Sequence, residues 1–274
     1  MSLSSNINKD KTQSPIPSQE KVRGKYLYCL ISAPTGVASH RTKGGETKEF
    51  EIKGIEGKTV YTIPEGRLSA VVSDSEIKEY LATRENIITH QKVLEEILKE
   101  YDLLPVSFGT VVASSEELKQ KILKPKAKEL QGLLQKIEGK IELSLKVLWL
   151  DMNSVFQEIA ESSQTIQKLK KSKNLGYQNR ILAGELVNKL LDEKREKEKE
   201  EILKPLKKIA DDFKENKLLG DSMILNVAFL VKKTKEKEFD KKVNNVGGKF
   251  DGRIKFLYVG PMPPFNFVEL HLGT

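Results

Sequence analysis

Apolar residues along this chain are first scarce, then concentrated, then periodic. Residues 1–22 are Ser, Asn, Lys, Gln and Pro with almost nothing to bury, so ordering them would cost backbone entropy without return and a disordered tail is expected. From Lys25 the run Tyr-Leu-Tyr-Cys-Leu-Ile-Ser is too continuously apolar for a half-exposed strand and too short for a helix. It reads as a central strand. Residues 34–57 carry six glycines and prolines and read as a loop-rich excursion with a weak strand around Lys48–Ile52. Thr59–Ile63 and Leu68–Val72 are β-rich runs separated by Pro64, Glu65 and Gly66, which is hairpin punctuation. Residues 84–101 switch to helical spacing, with Ile87, Ile88, Gln91, Leu94, Ile97, Leu98 and Tyr101 on one stripe. Leu103–Val112 returns to strand character, and Ser114-Ser115-Glu116-Glu117 supplies a capping box for a helix that Pro125 kinks or splits.

Lys140–Leu150 alternates and then saturates with apolar residues, a strand that opens a second domain near Gly139. From Asp151 to about Lys217 apolar residues recur only at helical spacing, ending with Ile202, Leu206, Ile209 and Phe213. Gly176, Gly184 and Pro205 are candidate breaks, and the charge-dense 192–201 stretch suggests a helical pair or short coiled coil projecting from the domain. Met223–Val231 and Arg253–Val259 read as strands flanking a short charged helix, Thr234–Val246. Strand, helices, strand, helix, strand has a ferredoxin-like rhythm. The proline-rich 260–268 segment lacks ladder donors and reads as an extended apolar tail. The expected class is α+β, with a disordered tail at 1–22, domains at 23–138 and 139–260, and an extended tail at 261–274.

Composition adds mainly exclusions. The 47 Lys and Arg residues are interleaved with 39 Asp and Glu, giving a net charge of +8. That pattern suits solvated helix faces better than a nucleic-acid footprint, which would concentrate basic residues among aromatics or glycines. No stretch approaches the roughly 20 apolar residues of a membrane span, and Met1–Glu20 lacks the apolar middle of a signal peptide. A cytoplasmic protein is expected. The single cysteine, Cys29, lies in an apolar run and reads as a buried small hydrophobe.

Catalytic constellations are hard to find. Gly57-Lys58-Thr59 resembles the end of a phosphate-binding loop, but Ile52 stands where the first glycine belongs and β-branched residues follow in place of a helix. His40, His90 and His271 are far apart, with no cysteine cluster or close His pair to make a metal site. His90 reads as a structural histidine on its helix. Ser107 has no nucleophile elbow, and Glu95-Glu96 and Asp211-Asp212 sit beside lysines where solvation accounts for them. No catalytic residue, cofactor or metal is expected.

Five segments, taken in order, resemble gas vesicle accessory proteins of the F and L type, the GvpF/GvpL family. They are Lys25–Tyr28, Thr89–Glu95, Leu104-Pro-Val-Ser-Phe-Gly-Thr-Val111, Asn226–Val231 and Gly260-Pro-Met-Pro-Pro-Phe-Asn-Phe-Val268. The family's terminal segment usually has tryptophan where Met262 stands and tyrosine where Phe265 stands, so an indole N–H and a phenol hydroxyl are missing here. The resemblance implies a minor, non-catalytic component acting early in gas vesicle formation. It also implies association with the very hydrophobic major shell protein (GvpA type) and with other accessory proteins, and a modified ferredoxin-like fold in the second domain.

A subunit that builds an apolar ribbed shell exposes strand edges before assembly, and a partner with its own sheet can cover them. The 261–267 segment is then either an arm packed on its own domains or a docking segment, with Pro263, Phe265 and Phe267 as candidate partner-binding residues. Two other classes stand beside this one. A basic ferredoxin-like RNA-binding module would show salt-sensitive RNA retention, and a nucleotide-dependent enzyme would bind ATP tightly at Gly57–Thr59.

Overall fold

The computed structural model describes residues 23–33, 47–171, 176–250 and 252–270, with the side chains of 169–171 left aside. The expected 1–22 tail, most of the 34–57 excursion, His40 and His271 lie outside the described residues.

The first sheet holds β1 (Arg23–Ser32), β2 (Glu49–Lys53), β3 (Thr59–Glu65), β4 (Leu68–Glu76), β5 (Leu103–Pro105) and β6 (Val111–Val112). Its order is β2-β3-β4-β1-β5, with β6 pairing the start of β1, and every pair is antiparallel. β1 is apolar throughout because both of its faces are covered: Tyr26 to Ile31 are fully buried. On one face lies α1 (Arg84–Leu98), bringing Val93, Leu94, Ile97 and Leu98. Its N-terminus is capped by Thr83, whose Oγ1 accepts the Asn86 N–H at 3.2 Å.

On the other face, α2 (Ser115–Glu117) runs into a π turn at Leu118–Leu123, and α3 (Ala127–Ile137) follows after Pro125. Pro125 thus splits the helix as its missing N–H demands. Ser114 Oγ accepts the Glu117 N–H at 3.0 Å, while Glu117 Oε2 accepts the Ala113 N–H at 2.8 Å. The expected single strand at 103–112 is two short ones, because residues 107–109 turn, with Gly109 at φ +84°.

The second sheet runs β10-β7-β9-β8, all antiparallel, from β7 (Lys140–Trp149), β8 (Asp212–Glu215), β9 (Met223–Lys232) and β10 (Ile254–Met262). Between β7 and β8 stand α4 (Met152–Ser162), α5 (Gln164–Lys171) and α6 (Tyr177–Lys207); between β9 and β10 stands α7 (Glu236–Gly247). The path is the β-α-β-β-α-β of a ferredoxin-like unit with three helices where one is usual.

Four expectations change here. Phe213 lies in β8, not in a helix; all four residues of this edge strand are exposed, so no burial period betrays it. α6 passes through Gly184 and ends two residues beyond Pro205, whose ring sits in the last turn. The 192–201 stretch does not project: it leans on the sheet through buried Glu198, with Leu191 and Ile202 buried on either side of it. β10 continues through Pro261 to Met262, past a register shift after Val259. It tolerates proline because it is an edge strand, whose outer N–H groups have no ladder partner to lose.

The inner face of the second sheet (Leu143, Leu145, Val147, Val227, Phe229) packs under α4, α6 and α7 in an apolar cluster continuous with the α1 side of the first sheet. Asp102 ties the halves together: its Oδ2 accepts the Gly139 N–H at 2.8 Å and its other oxygen pairs with Lys233 at 3.0 Å.

Candidate functional site

Three of the family-like segments meet at one buried node. β1 delivers Tyr26 and Tyr28, α1 delivers His90, and the turn between β5 and β6 delivers Phe108 and Gly109. Tyr26 Oη accepts the Gly109 N–H at 3.0 Å and shares a second hydrogen bond with His90 Nδ1, also at 3.0 Å. Burial lowers the His90 pKa from 6.5 to about 4, so the ring is neutral at pH 7. Tyr28 Oη accepts the Ile55 N–H at 2.8 Å and bonds Ser73 Oγ at 3.0 Å. Tyr80 meets Tyr26 edge-on with ring centroids 5.2 Å apart. Gly54 is glycine for a reason visible here: a Cβ on it would lie 2.1 Å from the Tyr28 hydroxyl. The node fastens the Ile55 turn, β4, α1 and the 107–109 turn to β1.

A second polar knot holds α6 to the second sheet. Glu198 accepts from Trp149 Nε1 at 2.6 Å and from Arg253 at 2.9 Å, and it pairs with Lys194 at 3.0 Å. Burial raises its pKa, but these three donors outweigh it and hold the carboxyl below the usual range.

The remaining candidates from the sequence are quickly placed. Gly57 closes a 3₁₀ turn, Ile55–Gly57, that feeds straight into β3, so no helix N-terminus faces Lys58 or Thr59. Cys29 is fully buried, which pushes its thiol pKa up. Glu95 accepts from Gln91, Glu96 pairs with Lys99, and Asp211 pairs with Lys140. Among the described residues no group of three or more His, Cys, Asp or Glu is placed to hold a metal ion, and no helix is long and apolar enough to cross a membrane.

The outer face of the second sheet is different. Strand alternation puts Glu142, Ser144 and Lys146 of β7 outward, beside Leu230, Ala228 and Asn226 of β9 and Met262, Val259 and Leu257 of β10. Among the described residues no helix packs on this face, and the C-terminal segment crosses one end of it. Pro263 and Pro264 are buried, Phe267 packs on Ala228 and Leu230, and Val268 reaches into the other cluster, with Leu27, Leu30 and Leu68 of the first sheet. Asn266 gives two hydrogens to Glu142, from its backbone N at 2.8 Å and from Nδ2 at 2.6 Å. Glu142 is 1% exposed, and burial raises its pKa against the pull of the two Asn266 donors. Gly260 lets the segment start: a Cβ there would meet Leu143 Cδ2 at 2.6 Å and the Glu142 carbonyl at 3.0 Å.

Of the three candidate partner-binding residues, Pro263 and Phe267 therefore face the chain's own interior, and Phe265 is 45% exposed. Sequence reasoning missed Glu142. An acidic residue at an outward strand position carries no sign that something covers it.

Fold and site together define an α+β protein whose buried polar groups hold its own segments in place, and which leaves aliphatic side chains exposed at one sheet edge. The family model described as gas vesicle synthesis protein GvpL/GvpF matches residues 24–269. The chain belongs to this family, and a gas vesicle accessory role follows from membership. It is 30% identical over 252 residues to gas vesicle protein F of Nostoc sp., covering 90% of this chain and 98% of that one. It is also 30% identical over 233 residues to gas vesicle protein F1 of Halobacterium salinarum, covering 84% and 91%. The crystal structure of GvpF from Anabaena sp. superposes with a TM-score of 0.80 at 28% identity, over 90% of this chain and 99% of that one. GvpF from Microcystis aeruginosa gives 0.76 at 26% identity, again over 90% and 99%.

Proposed function

We propose that this protein is a non-catalytic accessory subunit that binds the apolar major shell protein of the gas vesicle and limits its aggregation until it joins the growing vesicle. The observation that carries the reading is the open part of the second sheet's outer face. Val259 is 55% exposed and Leu257 40% exposed, side by side on β10, a strand paired on one side only. Exposed aliphatic residues along a free strand edge are a template for another chain. A shell subunit awaiting assembly offers the complementary surface, with strand edges and apolar side chains in search of cover.

The charged helices on the opposite face of this sheet keep such a complex in solution. The Glu198 knot supports the non-catalytic part of the reading, because its carboxylate spends its hydrogen bonds on the chain's own Trp149, Arg253 and Lys194.

Capture of purified major shell protein by the immobilised full chain tests the proposal. Wild type is expected to retain it, and the Leu257→Lys/Val259→Lys variant to lose most of it while keeping its melting temperature. Equal retention by the two would remove β10 as the binding edge, and no retention by either would remove the shell-binding reading itself.

A further inference from the structure

The C-terminal segment occupies its sheet face as a ligand occupies a groove. Residue by residue it offers two amide donors at Asn266 to one carboxylate, an aromatic ring at Phe267 to Ala228 and Leu230, and an aliphatic side chain at Val268 to the cluster of Leu27, Leu30 and Leu68. A weaker pair, Glu269 with Lys214 at 3.4 Å, closes the far end.

Two features make this cover removable. Glu142 occupies an outward position on β7, so a carboxylate uncovered there returns to water and is not stranded in a core. The grip of Phe267 on this sheet is also small, since among the described residues its cluster holds only Ala228 and Leu230, and the segment's remaining apolar hold is Val268 and Leu270 against the first sheet's cluster. The covered end and the open end form one surface. The row Met262–Glu142–Leu230 under the segment adjoins the row Val259–Ser144–Ala228, which Phe267 covers at Ala228 and which is open at Val259.

We infer that this outer face is a groove for an extended segment of the shell subunit, and that residues 263–270 are its occupant in the free protein, displaced when the partner binds. The groove takes a segment of the same chemistry as its present occupant: a residue bearing an amide side chain, then an aromatic, then an aliphatic one, in extended conformation. The inference rests on the shell-binding reading above and adds to it the docking register and a built-in competitor. A site occupied by its own segment most of the time binds its partner more weakly, by the fraction of time it is free.

The test uses the full chain and the major shell protein diluted from denaturant, with light scattering reporting aggregation. Asn266→Asp sets a second carboxylate against Glu142 and opens the groove. The pair Leu230→Cys/Phe267→Cys closes it when oxidised, and the same pair reduced is its control; Cys29 is fully buried and stays out of the exchange. The amount of chain needed to halve the scattering should fall about tenfold for Asn266→Asp, rise at least as much for the oxidised pair, and recover on reduction. Equal protection by open, locked and wild-type chains overturns the groove and leaves shell binding standing. Protection by none of them overturns shell binding itself. An Asn266→Asp chain that sediments as a dimer without protecting better also overturns the inference, since the displaced segment would then serve a second copy of this chain.

Discussion

Two places in this molecule bury a polar side chain against an incoming segment, and they differ in what happens if the segment leaves. At Tyr26 and His90 the partners come from β1, α1 and the 107–109 turn, all inside a core where an unpaired hydroxyl or imidazole has no water to turn to. At Glu142 the partner is the chain's own end, lying on the outward face of the second sheet. The first arrangement is a weld and the second a latch. Burial alone does not separate them, since His90 and Glu142 are both nearly inaccessible; the fate of the polar group once uncovered does.

Substitutions at the weld should have the largest effects. Tyr26→Ala removes a fully buried ring and its two hydrogen bonds, and should cost about 3–5 kcal/mol in chemical denaturation. Gly54→Ala forces a methyl into the Tyr28 hydroxyl and should be of the same kind, read as a lowered melting temperature.

Next in size is a pH effect. The folded His90 refuses a proton between its ordinary pKa of 6.5 and about 4, while the unfolded chain accepts one. Stability should therefore fall as pH drops through that window, by about 3 kcal/mol from this group, and level off below it. The slope should largely vanish in His90→Phe when the two chains are titrated side by side.

The latch should respond far less. Phe267→Ala loses a buried ring but also releases an ordered segment, and should shift the global transition by about 1 kcal/mol or less. A loss as large as that of Tyr26→Ala would erase the distinction. Smallest of all, Leu257→Lys/Val259→Lys should change stability by about 0.5 kcal/mol or less, while changing shell-protein capture the most.

Much of this architecture was legible in the chain, and the illegible parts share a cause. Tyr26–Ile31 reads as a central strand because both its faces need cover, and the hairpin shows through Gly66, which takes φ +60° in the turn between β3 and β4. The capping box at Ser114–Glu117 is local chemistry, and local chemistry is readable. β8 was not, because Asp-Phe-Lys-Glu at an exposed edge buries nothing and so has no period. Nor was the passage of α6 through Pro205, where packing of Ile202, Leu203 and Leu206 overrides a local breaker.

For the site, the proline-rich end stood out as unusual, yet Pro263, Phe265 and Phe267 look alike in sequence. Their different fates depend on Glu142, whose partner Asn266 lies 124 residues away. The convergence of Tyr26, His90 and Gly109 was hidden in the same way: each segment was recognisable, and only the fold shows that they touch.

Amide hydrogen exchange of the full chain, with and without the major shell protein, tests the central claim most directly. The account predicts that the shell protein slows exchange along Ile254–Met262 and quickens it at Asn266 and Phe267, with the amides of Tyr26–Ile31 unmoved. Protection appearing elsewhere, or a C-terminal segment held more tightly in the complex than alone, would contradict it.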